Sequence, residues 1–338
     1  MHKRKRQIIL ASAVILLLLS CGKEQQPKQE AAAPALTVLI GTDGFGDGCY
    51  NDNMLSGILG FCKEHPEVAL NLQQPASIAD AGKRLDAWLS QESAAQRALI
   101  LASNSYESVL KGKAAPKNGR VLILETDDVF PGHSSYIIRR YGASWLCGAL
   151  SSAYLPIIIK AMDGNDMIDE SEAGFRAGFS QVSDLEASSW TVADGPEGFT
   201  MRDSTYRLVY KAFDNLGSYS AFPLIFPLVG GSIAGVFDYQ RYMGFVAVAG
   251  MDVDCTPYAT YAVPYSLMVN NNLVLEHYLQ DWLDGVPWPE HQAYGLESKY
   301  VEVKLNPDNF WFSESDPLDV YEQYYPVAVQ KEKEYERE

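Results

Sequence analysis

The segment GTDGFGDGCYNDNMLSGILGF, residues 41–61, places groups that bind small polar ligands directly after an apolar run. Carboxylate and amide oxygens accept hydrogen bonds from hydroxyl groups, and aromatic rings provide flat faces for stacking. Glycine at this density predicts a loop, because glycine adopts backbone conformations that other residues avoid. The candidate ligand-binding residues of this loop are Asp43, Phe45, Asp47, Tyr50 and Asn51.

Four other segments at the ends of apolar runs have the same character: ASNS at 102–105, ETDD at 125–128, PLVGGSIAG at 227–235 and AGMDVD at 249–254. None of the five segments contains Lys or Arg. Carboxylates repel phosphate and carboxylate groups, whereas they accept hydrogen bonds from hydroxyls. The five segments therefore predict a site for a small, neutral, hydroxyl-rich ligand.

Two chemical alternatives use the same residues. The GFG at 44–46 resembles the start of a G-x-G-x-x-G dinucleotide motif, but Cys49 occupies the place of the third glycine. Asp127, Asp252 and Asp254 could ligate a divalent metal, which leaves a metal-assisted hydrolase as an alternative function. Aspartates in turns and caps are commoner than metal sites, and the sequence has no G-x-S-x-G nucleophile motif. We therefore expect a binding protein without catalytic residues, cofactor or metal.

The elements that would position these residues follow from an alternation of apolar strands and amphipathic helices. Predicted strands at 36–40, 68–72, 98–103 and 120–126 are separated by predicted helices at 52–65, 77–91 and 104–112. This pattern is typical of a parallel doubly wound sheet, in which ligands bind beyond the carboxyl ends of the strands. A helix at 141–154 precedes a second series, which predicts strands at 155–160, 188–193, 223–229 and 245–250, and helices near 170–181, 202–214 and 232–242.

The first twenty residues have the layout of a signal peptide, with a basic start and an apolar run that ends before Ser20. The residues LLSC resemble a bacterial lipobox, which implies cleavage before Cys21 and attachment of lipid to its thiol. Residues 21–35 lack periodicity and predict a flexible tether. We therefore expect a protein of the bacterial cell envelope that lipid holds at the membrane, facing the periplasm or the exterior.

The formal net charge of −16 argues against nucleic acid as a partner, because phosphate binding needs clustered Lys and Arg. Cys49, Cys62, Cys147 and Cys255 allow three disulfide pairings, and buried free thiols are an equally good reading. Cys49 and Cys255 lie in loops expected on opposite sides of one cleft, so a disulfide between them would lock the cleft.

The motifs, in their order along the chain, resemble the basic-membrane-protein or purine-nucleoside-receptor family, which are substrate-binding lipoproteins of ABC importers. Asp43, Asp47, the pair Tyr50-Asn51 and Gly57 match the pattern D-x-G-G-x-x-D-x-S-F-N-x-x-x-x-x-G. Similar motifs follow at VLILETD, GASWLCGALSSAY, AGFRAGF, PLVGGSIAGV and VAGMDVD. The resemblance covers roughly residues 36–285.

The resemblance implies an α/β type I periplasmic-binding fold with two doubly wound parallel-sheet lobes and a three-crossing hinge. The expected first lobe comprises 36–143 and 268–298, and the second comprises 144–267 and 299–330. A nucleoside would lie between them and pass to an ABC permease, and the protein would be a monomer. A ligand-sensing lipoprotein without a transporter is the alternative.

The resemblance also implies a role for each ligand-binding residue. Asp127 and Asp252 would hold the ribose hydroxyls. Phe226, together with Phe45 or Tyr50, would stack on the base. Asp43 and Asn51 would orient the base or brace the first loop. The complete expected set is Asp43, Phe45, Asp47, Tyr50, Asn51, Asp127, Phe226, Gly230, Gly231 and Asp252, with lipidation at Cys21.

Overall fold

A computed structural model describes residues 32–93, 95–214, 222–309 and 315–335. The expected signal peptide 1–20, the lipidation site Cys21 and most of the tether 21–35 lie outside these residues. None of the helices in the described ranges is long and apolar enough to cross a membrane.

The first lobe is built on a six-stranded sheet in the order β12-β5-β4-β3-β1-β2, and every neighbouring pair is parallel. The side chains of β3 are buried along the whole strand, as expected where helices cover both faces of a parallel sheet. The strands are β1 (Ala35–Ile40), β2 (Ala69–Gln73), β3 (Arg97–Ala102), β4 (Arg120–Leu124), β5 (Ser134–Ile138) and β12 (His291–Tyr294).

The second lobe has a four-stranded parallel sheet, in the order β7-β6-β8-β9, with a three-stranded sheet beside it, in the order β10-β11-β13. In the smaller sheet β10 runs parallel to β11, whereas β13 is antiparallel to it. The strands are β6 (Tyr154–Lys160), β7 (Ser188–Thr191), β8 (Phe222–Leu228), β9 (Ala247–Val248), β10 (Gly250–Asp252), β11 (Tyr265–Val269) and β13 (Val301–Leu305).

Nine α-helices connect or cover these strands within the described residues. Ser77 caps the second helix, because its side chain accepts a hydrogen bond from the amide of Asp80, as its position in the sequence predicts. The helices are α1 (Tyr50–Glu64), α2 (Ile78–Ser90), α3 (Glu107–Leu110), α4 (Tyr141–Ala149), α5 (Asp166–Phe179), α6 (Arg202–Asp214), α7 (Ile233–Met243), α8 (Asn271–Leu283) and α9 (Pro317–Glu334).

The sheets confirm the predicted α/β class and differ from the sequence-based strands in five places. The expected single strand at 245–250 divides into β9 and β10, which belong to different sheets. The sequence analysis did not predict β5, β11, β12 or β13. β12 is a short, polar edge strand of four residues, so it lacks the apolar run that marks a buried strand.

The described chain passes between the lobes at three places, which form the hinge. The first crossing runs from β5 through α4 to β6, and the second leaves β11 at Asn270 to enter α8. The third leads from β12 through residues 295–300 to β13. The last helix, α9, packs against α4 in the first crossing.

α8 returns to the first lobe and packs against α1 at a glycine. A Cβ on Gly57 would lie 2.5 Å from the carbonyl oxygen of Asn272, which is backbone that cannot move aside alone. One turn further along α1, a Cβ on Gly60 would meet only the flexible carboxylate of Glu276, at 3.3 Å. The close contact between the two helices therefore depends on Gly57.

We expect Gly57→Ala to destabilise the protein by about 1–3 kcal/mol, because overpacking at the α1–α8 contact outweighs the better helix propensity of Ala. Gly60→Ala is the matched control, and we expect it to leave stability unchanged or to raise it by up to about 1 kcal/mol. Urea unfolding of the two variants measures both free energies. Equal effects at the two positions would contradict the close contact.

Candidate functional site

A cavity of about 400 Å³ lies between the two lobes. All five segments singled out in the sequence contribute to its wall, because the carboxyl ends of parallel strands meet along one edge of each sheet. From those segments and the start of α1, the wall contains Asp43, Phe45, Asp47, Tyr50, Asn51, Ser103, Asn104, Glu125, Gly230, Gly231 and Asp252.

The β1–α1 loop, residues 41–49, is held rigid by two carboxylates. Asp47 accepts hydrogen bonds from the amides of Cys49, Asn51 and Asp52 at 2.9–3.2 Å and from the side chain of Asn51 at 3.1 Å. Asp52 accepts from the amides of Gly46 and Gly48, both at 2.8 Å. Asp47 therefore satisfies amides at the start of α1 and braces the loop.

Glycine is required in this loop for conformational reasons. Gly44, Gly46 and Gly48 have φ angles of 77°, 95° and 65°, in the region that side-chain-bearing residues avoid. These turns bring Phe45 to the cavity wall, where its ring is half-buried. Asn51 braces the loop through Asp47, which is one of the two roles expected for it.

The two lobes touch each other beside the cavity. The Tyr258 hydroxyl of the second lobe donates to the carbonyl of Gly48 at 3.2 Å. The thiol of Cys49 lies 3.8 Å from the carbonyl oxygen of Gly230, and a Cβ on Gly231 would approach Asp47 to 3.0 Å. The Gly-Gly turn thus lets the loop of the first lobe come close to the second lobe.

Two carboxylates of the wall have an unusual backbone conformation. Glu125 and Asp252 are the only residues other than glycine in the described ranges that have positive φ, at 59° and 65°. Such conformations cost on the order of 1–3 kcal/mol each and are concentrated at functional sites. Each of the two residues lies at or directly after a strand end, where this conformation turns the chain beside the cavity.

Arg140 is a basic residue in the cavity wall. Its guanidinium donates to Glu125 at 2.8 Å and to the carbonyl of Ile138 at 2.8 Å. The other oxygen of Glu125 is buried and has no hydrogen-bond partner among the described residues, and the carboxylate of Asp252 accepts no hydrogen bond from them. The wall therefore offers carboxylate acceptors to hydroxyl groups of a solute.

Burial raises the pKa of Asp252 to about 6, although Arg140 opposes the shift. Asp47 and Glu125 raise it further by charge repulsion. Burial also raises the pKa of Tyr50 well above its usual value, so its phenol stays a neutral hydrogen-bond donor. Among the described residues, the wall contains four carboxyl groups, those of Asp43, Asp47, Glu125 and Asp252, and one cation, Arg140.

Two expected residues lie elsewhere. Phe226 is fully buried inside β8, and its ring stacks on Phe175 of α5 at 4.3 Å. It precedes the strand end by two residues, so it packs under the covering helix instead of facing the cavity. Asp127 forms an ion pair with Arg139 at 2.6 Å and does not line the cavity. The turn at Glu125 points that residue into the cavity and leaves Asp127 outside.

Sequence reasoning missed part of the second lobe's wall. Arg140 lies in the first crossing, outside the five strand-end segments. The cavity therefore has a basic residue in its wall although those segments contain neither Lys nor Arg. The other missed residues follow the carboxyl ends of β6 and β7. The rule that ligands bind beyond the carboxyl ends of parallel strands, called the strand-end rule below, could have found them. They include Met162, Asn165, Met167, Ser171, Phe199 and Thr200.

The described residues do not assemble the carboxylates of the alternative metal site. Asp254 forms an ion pair with Lys304 at 2.6 Å, and Asp127 is held by Arg139. Within the described ranges, no group of three or more His, Cys, Asp or Glu side chains could hold a metal ion. Cys49 and Cys255 are both buried free thiols, so the hypothetical disulfide between them is not formed.

We expect Asp252→Asn to stabilise the protein at pH 7 by about 1–3 kcal/mol, because it removes a desolvated charge. Between pH 3.8 and about 6 the folded wild type binds more protons than the unfolded chain, so stability falls as the pH rises. Urea unfolding across this range should show a weaker pH dependence in Asp252→Asn.

Asp254→Asn serves as the control, with the opposite expected sign. Although burial raises the pKa of Asp254, hydrogen bonds from Lys304 and Thr256 lower it on balance. This carboxylate therefore stabilises the fold above its usual pKa, and its replacement should reduce stability slightly at pH 7. A destabilised Asp252→Asn protein would contradict the unpartnered state of Asp252.

No protein-family model and no curated protein matches the sequence. Solved structures do. An ABC-transporter solute-binding protein from Aeropyrum pernix K1 has a TM-score of 0.66 at 14% identity, with 90% of this chain and 87% of that one covered. A transcriptional activator of the comK gene from Bacillus halodurans has a TM-score of 0.65 at 14% identity, with 89% and 97% covered.

A periplasmic solute-binding protein of an ABC transporter from Actinobacillus succinogenes 130z, with bound D-allose, has a TM-score of 0.62 at 12% identity. The matched region covers 80% of this chain and 97% of that one. These structures do not point to the purine-nucleoside-receptor family in particular. At such identities the likeness establishes the fold alone: the chain has the type I periplasmic-binding fold that ABC-transporter solute-binding proteins share with transcription regulators.

Proposed function

We propose that this protein is a solute-binding component of an ABC-type importer that holds a small neutral polar solute between its lobes. The observation that carries the proposal is the cavity, whose volume of about 400 Å³ lies within the range of small-molecule sites. Aromatic and aliphatic side chains form part of its wall, and carboxylates with free acceptor capacity form another part. The similar structures include solute-binding proteins, which supports this role.

A nucleoside is the solute that we propose. Its base would stack between Phe45 of the first lobe and Phe199 of the second, since both rings line the cavity and are half-buried. Its ribose hydroxyls would donate to Asp252 and to the unpartnered oxygen of Glu125. Stacking of a base on an aromatic ring contributes on the order of 1–3 kcal/mol. A sugar could donate to the same carboxylates, but it has no flat base to stack between the two rings.

The proposed setting is the bacterial cell envelope. Lipid on Cys21 would hold the monomer at the membrane, and the tether at 21–35 would let it reach a permease. The excess of acidic residues in the chain argues against electrostatic attachment to anionic lipid, so the anchor would be the lipid itself. Closure of the lobes around the solute would be hinge motion, and the protein would carry out no chemistry.

A thermal-shift panel of purine nucleosides, pyrimidine nucleosides and monosaccharides tests the ligand class. A ligand that binds the folded state raises the melting temperature by linkage. We expect at least one nucleoside to do so and the corresponding nucleotide to bind more weakly, because the wall carries more carboxylates than cations. Stabilisation by sugars alone would reject the nucleoside, and no response to any compound of the panel would reject both nucleosides and monosaccharides as the solute.

The most stabilising nucleoside of that panel then serves as the probe for the site itself. We expect Phe199→Ala to weaken its binding about 10- to 100-fold, measured by titration calorimetry, because one stacking face is lost. Phe245→Ala, which removes a ring of the second lobe that is 81% exposed, is the matched control and should leave the affinity unchanged. Equal affinities for all three proteins would remove Phe199 from the site.

A further inference from the structure

The carboxylate of Glu332, near the end of α9, joins two of the three hinge crossings. It accepts hydrogen bonds from the amide of Gly142, in the first crossing, at 3.1 Å and from the amide of Leu296, in the third, at 2.7 Å. Each of its two oxygens serves one crossing. A single side chain thus links segments that belong to different passages of the chain between the lobes.

Two glycines make room for this carboxylate. A Cβ on Gly142 would lie 2.9 Å from the side chain of Glu332, and a Cβ on Gly295 would collide with its carboxylate. Tyr335, at the end of the same helix, stacks on Tyr141 with ring centres 4.0 Å apart and so fixes the helix end against the first crossing. The hinge is therefore shaped to receive Glu332.

The first crossing also carries the cation of the cavity wall. Glu170, on α5 of the second lobe, accepts from the backbone amides of Arg140 and Tyr141 at 2.9 and 3.1 Å. The side chain of Arg140 reaches Glu125 in the cavity. Glu332 binds the amide two residues after Arg140, so the two carboxylates together hold the backbone from which Arg140 projects.

The second crossing is tied to the third in a similar way. The amide of Asn270 donates to the carbonyl of Tyr300 at 2.8 Å, and its side chain donates to the carbonyl of Lys299 at 3.2 Å. With Glu332, these bonds connect all three crossings. The relative positions of the three crossings are therefore coupled through the hydrogen bonds of Glu332 and Asn270.

We propose that Glu332 is a positioning residue for solute binding: it sets the geometry of the hinge and, through the first crossing, the place of Arg140 in the cavity. The role in solute binding rests on the proposed function. The physical basis of the inference is the contact between α9 and the two crossings. Loss of one of the hydrogen bonds that Glu332 accepts from backbone amides loosens the hinge and displaces Arg140.

The charges around Glu332 make this contact sensitive to pH. Glu170 on α5 and Arg139 before α4 act on it from the neighbouring elements, with opposite effects. Lys331 and Glu334 pair with each other on its own helix, and Lys333 pairs with Glu297. Burial raises the pKa of Glu332 to about 7, although the bonds from Leu296 and Gly142 oppose this. Protonation removes one acceptor oxygen.

Amide hydrogen exchange in the solute-free protein, followed residue by residue by NMR, tests the proposal. In Glu332→Gln, whose side chain keeps one acceptor, we expect the protection factor of Gly142 or Leu296 to fall on the order of 10-fold. Glu334→Gln, which alters an exposed carboxylate two residues away, should leave both protection factors unchanged. Equal protection of these amides in Glu332→Gln and wild type would overturn the proposal.

The pH profile of the wild type provides a second measurement that needs no variant. After correction for intrinsic exchange, protection of these two amides should fall as the pH decreases through about 7, and Glu332→Gln should lack this step. A flat wild-type profile would overturn the link to Glu332. The outcome does not depend on a solute, so failure of every nucleoside to bind would reject the proposed nucleoside ligand and leave these exchange results interpretable.

Affinity supplies the functional arm. With the most stabilising nucleoside of the thermal-shift panel as probe, Glu332→Gln should bind about 10-fold more weakly at pH 8, and Glu334→Gln should bind as the wild type does. Reduced amide protection with unchanged affinity would show that Glu332 braces the hinge without positioning the site, which would overturn the positioning role.

Discussion

The buried ion pair between Arg140 and Glu125 connects the hinge to the cavity, and the arrangement of the site depends on it. Both side chains are almost completely buried, at 7% and 1% exposure, so their attraction must offset the loss of hydration of two charges. The carbonyl of Ile138 supplies a further partner to the guanidinium. Removing either charge would leave the other buried without compensation, which typically costs about 3–5 kcal/mol.

This pair also explains why a strained backbone persists at Glu125. A glutamate with positive φ has no side-chain compensation of the kind available to Asp or Asn, so its surroundings must hold it there. The ion pair with Arg140 holds Glu125 in this conformation. Arg140 is itself held in place because its backbone amide donates a hydrogen bond to Glu170. The strain at the cavity is thus maintained by contacts within the hinge. Hinge and site form one connected set of polar groups.

The β1–α1 loop is also held in place by partly buried carboxylates, but here their partners are backbone amides. Asp47 in the loop and Asp52 in the first turn of α1 accept hydrogen bonds from backbone amides of the loop and of the start of α1, and these bonds brace the loop. A loop ordered before the solute arrives does not have to lose its freedom on binding, and this preorganisation raises affinity. Phe45 and Tyr50 are therefore presented to the cavity by a rigid loop. The acidic residues of this segment thus divide into Asp47 and Asp52, which brace the loop, and Asp43, which lines the cavity.

The strand-end rule explains both the successes and the failures of the sequence analysis. Alternating apolar runs and helices were enough to predict the α/β class, and carboxyl ends of parallel strands brought Asp43, Phe45 and Asp252 to one cavity. Phe226 was misplaced because side chains within a buried strand alternate between two covered faces, and sequence does not say which residue is the last inside. Arg140 was missed because its position depends on a crossing between lobes, where no local pattern applies.

Closure of the lobes without a solute carries a cost that follows from the same groups. In the present arrangement of the lobes one oxygen of Glu125 is buried without a donor among the described residues, and desolvation raises the pKa of the Asp252 carboxyl. An unpaired buried polar group costs about 1–3 kcal/mol, or more when it is charged. In an open cleft water would satisfy both groups. A solute whose hydroxyls donate to these oxygens removes that cost only when the lobes close on it. Under the proposed function, such a solute would have a higher affinity for the closed state than for the open one, which is the condition under which a ligand can shift a conformational equilibrium.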